Sequence, residues 1–272
     1  MTIKDIVVHQ GDDAHADRRL AAGTALAKQF DARLTGVYVL GFPTLPGYVQ
    51  TEMPTEIIEQ TYREIRAMGE AKRKEFDAAM SREGVNGEFR LMEGDVTDAV
   101  ALCGRYCDLL VVGQPNPDHP ASIDGLAEEL LLASGRPVLV VPYTGDQSHM
   151  GKRIMVAWTA TREATRAVHD AMPLLQKADE VVVFSVNPDD DEHLAGADIC
   201  APLARHGVNA TARHIVAPDM KVGDSMLSAV ADNGIDLLVM GGYGHSRLRE
   251  LAFGGATRAI LQSMTCPVMM SH

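Results

Sequence analysis

The chain has 272 residues, enough for two modest hydrophobic cores, and its 46% hydrophobic and 23% charged residues are typical of a globular protein rather than a disordered or fibrous one. The net charge of -12 argues against nonspecific binding to nucleic acid or to an anionic membrane. No apolar run reaches the roughly 18 residues of a membrane helix, and the N-terminus lacks signal-peptide features, so we expect a cytoplasmic protein with reduced cysteines.

The first half of the chain alternates short β-branched runs with longer helical patterns, which is typical of a parallel sheet with crossover helices. An insertion at residues 41–54 precedes a charged segment that is predicted to be a helix over 55–82. The apolar runs do not alternate with polar residues, so both faces of the sheet should be covered.

The second half repeats the first, and this repeat is the strongest sign of how the chain is organised. Its pattern predicts strands near 152–158, 180–186, 210–216, 235–240 and 266–270, and helices near 162–176, 192–206, 222–233 and 255–264. Four pairs of segments carry the repeat: 6–8 with 154–156, 84–86 with 207–209, 108–113 with 236–241, and 136–142 with 266–271.

These patterns predict two tandem α/β domains at residues 1–143 and 152–272, each a doubly wound, mostly parallel five-stranded sheet with helices on both faces. The polar stretch 143–151, which contains two glycines, is the predicted linker.

One glycine-rich segment, residues 240–257, has the composition of an anion site. It begins where a buried strand ends, which is where open α/β sheets place ligands. Gly241 and Gly244 let the backbone turn and approach a ligand, and Gly254 and Gly255 lead into a helix whose first amide groups suit a phosphate. Residues 242–258 carry three arginines against one acid, although these arginines also fit a solvated helix face.

This segment resembles the nucleotide-binding pattern of the universal stress protein family, specifically of its tandem members. The family pattern is glycine, two residues, glycine, nine residues, glycine, then serine or threonine; this chain matches at the three glycines and departs at Gly255. The resemblance implies that an adenine nucleotide (ATP, ADP or AMP, with or without magnesium) is bound by Ala157, Trp158, Thr159 and Val186 at the base, by Gly241 and Gly244 at the ribose and diphosphate, and by Gly254, Gly255, Ala256 and Thr257 as the phosphate cradle. Met240 and His245 are further candidates; His245 is interpreted either as a phosphate contact or as an exposed loop histidine. The Trp158 side chain is expected to pack rather than to stack on the base.

Two departures from the family pattern weaken the expected binding. Thr159 stands where nucleotide-binding relatives have an aspartate, which costs on the order of 1–2 kcal/mol, and Gly255 lacks a hydroxyl worth roughly 0.5–1.5 kcal/mol. Together these changes lower the affinity about ten- to hundredfold. The backbone amides are unchanged, so we expect weakened binding rather than none.

The first copy departs further and is predicted not to bind nucleotide. Prolines follow Gly113 where the turn needs free amides, and Gly11 takes the position of the aspartate. Asp124, Glu128 and Glu129 place negative charge where phosphate would lie.

Two acidic clusters, one around His15 and one at 189–193, are interpreted as helix starts and solvated turns, so no metal site is predicted. No Walker lysine or nucleophile–base pair accompanies the glycines, so no catalytic residue is predicted.

Three functions are compatible with these patterns. The first is a non-catalytic stress-response protein that binds an adenine nucleotide in its second domain. The second is a nucleotide-independent interaction scaffold, and the third, least supported, is a slow ATPase.

The resemblance also implies self-association, because family members commonly pair through their final strand. The strands at 136–141 and 266–270 are apolar and lack edge-protecting charges, so we expect them to pair with each other within one chain. A further homodimer would then use a different surface.

Overall fold

The computed structural model describes residues 2–41, 54–115, 125–145, 150–188, 196–243 and 255–272. Nearly all of the insertion at 41–54 lies outside these ranges, as do the acidic cluster at 189–193, Asp124, and the predicted site residues Gly244, His245 and Gly254.

Strands and helices alternate through both halves, close to the predicted positions. The first half contains β1 (Asp5–Gln10), α1 (Ala16–Phe30), β2 (Arg33–Leu40), α2 (Thr55–Glu83), β3 (Gly87–Glu93), α3 (Val96–Gly104), β4 (Leu109–Gly113), α4 (Leu126–Ala133) and β5 (Val138–Val141). The second half contains β6 (Arg153–Ala157), α5 (Arg162–Leu175), β7 (Glu180–Val186), α6 (Ala197–Arg205), β8 (Ala210–Ile215), α7 (Val222–Asp232), β9 (Leu237–Gly241), α8 (Ala256–Ser263) and β10 (Val268–Ser271).

The ten strands form one continuous sheet in the order β3-β2-β1-β4-β5-β10-β9-β6-β7-β8. Every pairing inside a half is parallel, and the order within each half reverses at its first strand, so each half is doubly wound. The predicted fold class is therefore confirmed, and the two five-stranded units share a single sheet.

The two halves join where β5 pairs with β10 in antiparallel register. Leu139 lies opposite Met269, with Val138 opposite Met270 and Val140 opposite Val268. All of these side chains are 0% exposed, so each strand covers an apolar edge that would otherwise promote aggregation. This is the intrachain pairing that the apolar character of the two strands predicts.

Helices cover both faces of the sheet, which explains why its strands are apolar on both sides. On one face, α1, α2, α5 and α6 pack over the first hydrophobic core; on the other, α3, α4, α7 and α8 pack over the second. Within the described ranges, no helix combines the length and the apolar character needed to cross a membrane.

A repeated aspartate closes the amino end of the sheet in each half. The Asp236 carboxylate accepts hydrogen bonds from the backbone amides of Gly151, Lys152 and Arg153 at 2.9–3.1 Å. In the first half, Asp108 accepts from the amides of the residues that begin β1. The aspartate in the repeated 108–113 and 236–241 segments therefore has a structural role.

The junction between the halves predicts what happens when the linker is cut. A protease site introduced between Gly145 and Met150 should give two fragments that co-elute in size-exclusion chromatography at micromolar concentration, because the β5–β10 contact is apolar and fully buried. Leu139→Asp places an unpaired charge in this contact, which costs several kcal/mol, and should release the fragments after cleavage. Separation of the fragments without that substitution would contradict the pairing.

Candidate functional site

The candidate site lies in the second half, where the strand order reverses between β6 and β9. A cavity of about 820 Å³ opens there at the carboxyl ends of these strands, bordered by the beginnings of α7 and α8. Open parallel sheets bind ligands at this position because the loops on either side diverge.

Most of the predicted site residues that the structure describes line this cavity. They come from the ends of β6, β7 and β9 and from the start of α8: Ala157, Thr159, Val186, Met240, Gly241, Gly255, Ala256 and Thr257.

Trp158 is the exception among the described residues. Successive side chains of an extended chain point to opposite faces, so the Trp158 side chain faces away from those of Ala157 and Thr159. Its side chain packs against the first core, beside Gly196, and is not among the residues that line the cavity. Only its backbone is near the site, where the carbonyl oxygen accepts from the Ser185 hydroxyl at 3.0 Å.

Backbone strain accumulates around the cavity. Four described residues other than glycine have left-handed φ values, and three of them, Ala160, Asn187 and Tyr243, follow β6, β7 and β9 within three residues. Such conformations cost about 1–2 kcal/mol for most residues and persist where the surroundings impose them. Asn187 is also fixed through its side chain, which accepts from the amide of Ala217 at 2.7 Å.

Two helix N-termini border the cavity without a side-chain cap. The N-cap residue of α7 is Lys221 and that of α8 is Gly255, and neither makes a capping hydrogen bond. The helices approach closely, because a β-carbon on Gly223 would lie 2.8 Å from that of Ala259. Uncapped amide groups and the helix dipole favour an anion, so this side of the cavity suits phosphate.

Among the residues that the structure describes, the charged side chains lining the cavity are Lys221 and Glu163. Burial pushes the pKa of the Glu163 carboxyl upward, but its own backbone amide and the Arg162 guanidinium outweigh burial and hold that pKa below its usual value. Glu163 is therefore ionised at neutral pH and lies beside Gly241, where it can accept hydrogen bonds from ligand hydroxyl or amino groups.

Sequence reasoning did not identify Thr161, Glu163, Asn187, Lys221 or Met226 as cavity residues. Aligning the two copies would have identified one of these residues, Lys221, by its change of charge. Lys221 immediately precedes α7, whereas the matching position before α3 holds the acidic Asp95.

In the first half, a side chain occupies the position that is open in the second. The strand pairings place His9 of β1 where β6 has Ala157. His9 is 3% exposed, and its Nδ1 atom has no hydrogen-bond partner. Burial, reinforced by the nearby Arg19 charge, lowers the pKa of His9 to about 3, so the imidazole is neutral.

A buried ion pair closes the same edge of the first half. The Arg19 guanidinium is 1% exposed, donates to both carboxylate oxygens of Asp13 at 2.8 and 2.6 Å, and donates to the carbonyl oxygen of His9 at 2.9 Å. Asp12 accepts from the Tyr38 hydroxyl at 2.7 Å. Asp12 and Asp13 are thus used in internal contacts, and the arginine lies against Gly113, the counterpart of Gly241.

The charges around the helix starts are also reversed between the halves. Asp95 caps α3 by accepting from the amide of Asp98 at 3.0 Å, and Glu129 near the start of α4 accepts from the Thr97 hydroxyl at 2.6 Å. The corresponding helix starts in the second half carry Lys221 and Arg258. The first half therefore disfavours an anion at the position where the second favours one.

Comparison with known proteins agrees with this geometry. Residues 150–272 match the model of the universal stress protein family. A curated universal stress protein of Synechocystis sp. is 50% identical over 38 residues, which are 14% of this chain and 13% of that protein.

Solved structures extend the likeness to the whole chain. A universal stress protein from Archaeoglobus fulgidus DSM 4304 superimposes with a TM-score of 0.80 at 14% identity, covering 99% of this chain and 96% of that one. A functionally unknown protein from Pseudomonas aeruginosa PAO1 gives a TM-score of 0.58 at 15% identity over 99% of this chain and 92% of that one. At these identities the two structures establish the shared fold of both halves.

The neutral, buried His9 predicts how stability depends on pH. Because its pKa is lower in the folded state than in the unfolded state, the folded protein binds fewer protons between about pH 3 and 6.5, and stability falls as pH decreases through this window by up to about 1.4 kcal/mol per unit. His9→Leu should flatten the pH dependence of the unfolding free energy between pH 4.5 and 6.5. The control His214→Gln, at an exposed position, should leave the pH dependence of the unfolding free energy unchanged. The same slope in His9→Leu as in the wild type would contradict a buried, neutral imidazole.

The uncapped start of α8 predicts the effect of restoring the family hydroxyl. Gly255 has φ of -52°, which serine adopts without strain, so Gly255→Ser should keep the fold and stabilise it by a few tenths of a kcal/mol. The hydroxyl should also strengthen ATP binding by roughly 0.5–1.5 kcal/mol, about two- to tenfold, as measured by calorimetry. An affinity equal to that of the parent chain would mean that phosphate does not lie at this helix start.

Proposed function

We propose that this chain, whose residues 150–272 match the model of the universal stress protein family, is a non-catalytic stress-response protein that binds one adenine nucleotide in its second half. The observation that carries the proposal is a cavity that is lined by apolar side chains and bordered by two uncapped helix N-termini. A nucleotide combines the same two features, because its base is flat and largely apolar and its phosphates are anionic.

The apolar lining of the cavity suits the base. Val186 lies at the end of β7 and Met240 near the end of β9, and Met226 and Ile260 come from α7 and α8. Methionine side chains are polarisable and adapt to a planar ring. Ala157 is small enough to leave room between them.

The start of α8 suits the phosphates. Gly255, Ala256 and Thr257 provide the first turn of the helix, whose amides lack partners within the helix. The glycine spacing of the family pattern brings the chain from Gly241 to this turn. Backbone amides supply this recognition, so the glycine at position 255 weakens it without removing it.

The polar groups of the described part of the cavity favour binding over turnover. Thr161 caps α5 by accepting from the amide of Ala164 at 3.3 Å, Asn187 holds the loop after β8, and Glu163 pairs with Arg162 at 3.3 Å. Each is already engaged in fixing the local structure. Among these described groups, no hydroxyl or thiol lies beside a base that would activate it.

The asymmetry of the two halves leads us to propose a single nucleotide per chain. The His9 side chain fills the first copy, whereas Ala157 leaves the second copy open. We further propose that the bound nucleotide biases the conformation of the surrounding loops and so their interaction with a cytoplasmic partner.

The matched substitution Ala157→His tests this proposal by placing in the second copy the residue that fills the first. Calorimetry with ATP should show one site per wild-type chain and at least a tenfold loss of affinity in Ala157→His, because the imidazole occupies the base position. The control Ala204→His, on the exposed side of α6, should bind like the wild type. Circular dichroism checks that all three proteins remain folded.

Other outcomes favour the alternatives. Two equivalent sites per chain would contradict the asymmetry, and wild-type protein that binds no nucleotide would favour the scaffold function. Release of phosphate from bound ATP, abolished by Ala157→His, would favour the ATPase.

A further inference from the structure

A buried side chain of the first half makes hydrogen bonds to the helix that carries the proposed phosphate cradle. Gln114 follows β4, is 3% exposed, and lies 147 positions before its main partner. Its side-chain amide donates to the carbonyl oxygens of Leu261 at 2.9 Å and of Gln262 at 3.2 Å. Its side-chain oxygen accepts from the amide of Tyr143 at 3.3 Å, so both ends of the side chain are engaged.

These hydrogen bonds reach α8 at the end where it needs partners. The last carbonyl groups of a helix lack N–H donors within the helix, and α8 ends at Ser263 before Met264 turns to an extended conformation. With eight residues, α8 is about 12 Å long and too short to be stable without tertiary contacts. Gln114 therefore anchors the carboxyl end of the helix whose amino end faces the cavity.

The equivalent position in the second half is occupied differently. Gly242 follows β9 as Gln114 follows β4, and the Leu131 side chain of α4 fills the space that a side chain on Gly242 would need. Leu131 and Leu261 hold matching places in α4 and α8. Thus the first half contacts the second at both related positions: Gln114 binds the end of α8, and Leu131 packs against the residue after Gly241.

We propose that Gln114 is a positioning residue for nucleotide binding, through which the first half fixes the place of the phosphate cradle in the second. This inference rests on the proposed function for its ligand. Gln114 does not touch the cavity; it acts by holding α8, and Gly223 packs against the same helix from α7. Loss of the anchor leaves the first-turn amides of α8 less ordered, so that binding has to order them again.

The test compares Gln114→Met and Gln114→Glu with the wild-type chain. Methionine keeps the unbranched length of glutamine but cannot donate, and glutamate keeps the acceptor for Tyr143 but places a carboxylate against two carbonyl groups. Arg166→Ala is the matched control, because Arg166 also bonds across the halves, to the carbonyl oxygen of Gly135 at 3.0 Å, but does not touch α8. The readouts are ATP affinity and amide hydrogen exchange in α8 and in α7, with and without ATP.

Both substitutions should weaken ATP binding on the order of tenfold, the loss expected for one or two hydrogen bonds. In the ligand-free protein, exchange should accelerate in α8 and not in α7, and ATP should restore part of the protection. Arg166→Ala should leave affinity and α8 exchange unchanged. Unchanged affinity in Gln114→Met, or equal losses in Gln114→Met and Arg166→Ala, would overturn the positioning role.

Failure of the proposed function is distinguishable from failure of this inference. Wild-type protein that binds no ATP would contradict the proposed nucleotide binding. Amide exchange in α8 would still show whether Gln114 holds this helix. Normal ATP binding by the wild type with unchanged α8 exchange in both Gln114 variants would overturn the inference alone.

Discussion

The antiparallel pairing of β5 with β10 is the contact on which the arrangement of the two halves depends. It turns two five-stranded parallel sheets into one and buries the side chains of both final strands completely. It also brings the turn after β4 next to α8, and the turn after β9 next to α4. Without this junction, Gln114 would lose its hydrogen bonds to α8, and Leu131 would lose its contact beside Gly242.

Because the halves share one sheet, the repeated unit can diverge in function without losing its fold. The strands at the switch point have the same arrangement in both halves, but the residues at equivalent positions differ. The first half has His9 where the second has Ala157, and Asp95 where the second has Lys221. The Arg19–Asp13 pair adds a buried contact in the first half that would be costly to open, because each partner would be left as an uncompensated charge. We infer that the first half now serves as a support for the second.

Local pattern was enough to predict the alternation of strands and helices, because the central strands are apolar on both faces and the second half repeats the pattern of the first. Most of the predicted site residues that the structure describes do line the cavity, since strand ends and glycine spacing are local features. The Trp158 side chain packs against the core instead of lining the cavity, because side chains alternate along an extended chain. His9, Arg19 and Gln114 could not be predicted, because their burial depends on partners brought close only by the folded sheet; Gln114 and Leu261 are 147 positions apart.

The central claim is that one half binds a nucleotide while the other is closed by its own side chains. A crystal structure of the chain grown with ATP tests this most directly. The account predicts density for one nucleotide between β6 and β9, with its phosphates at the first turn of α8 and with His9 and the Arg19–Asp13 pair unchanged in the first half. Nucleotide density in the first half, or at a site away from α8, would contradict it.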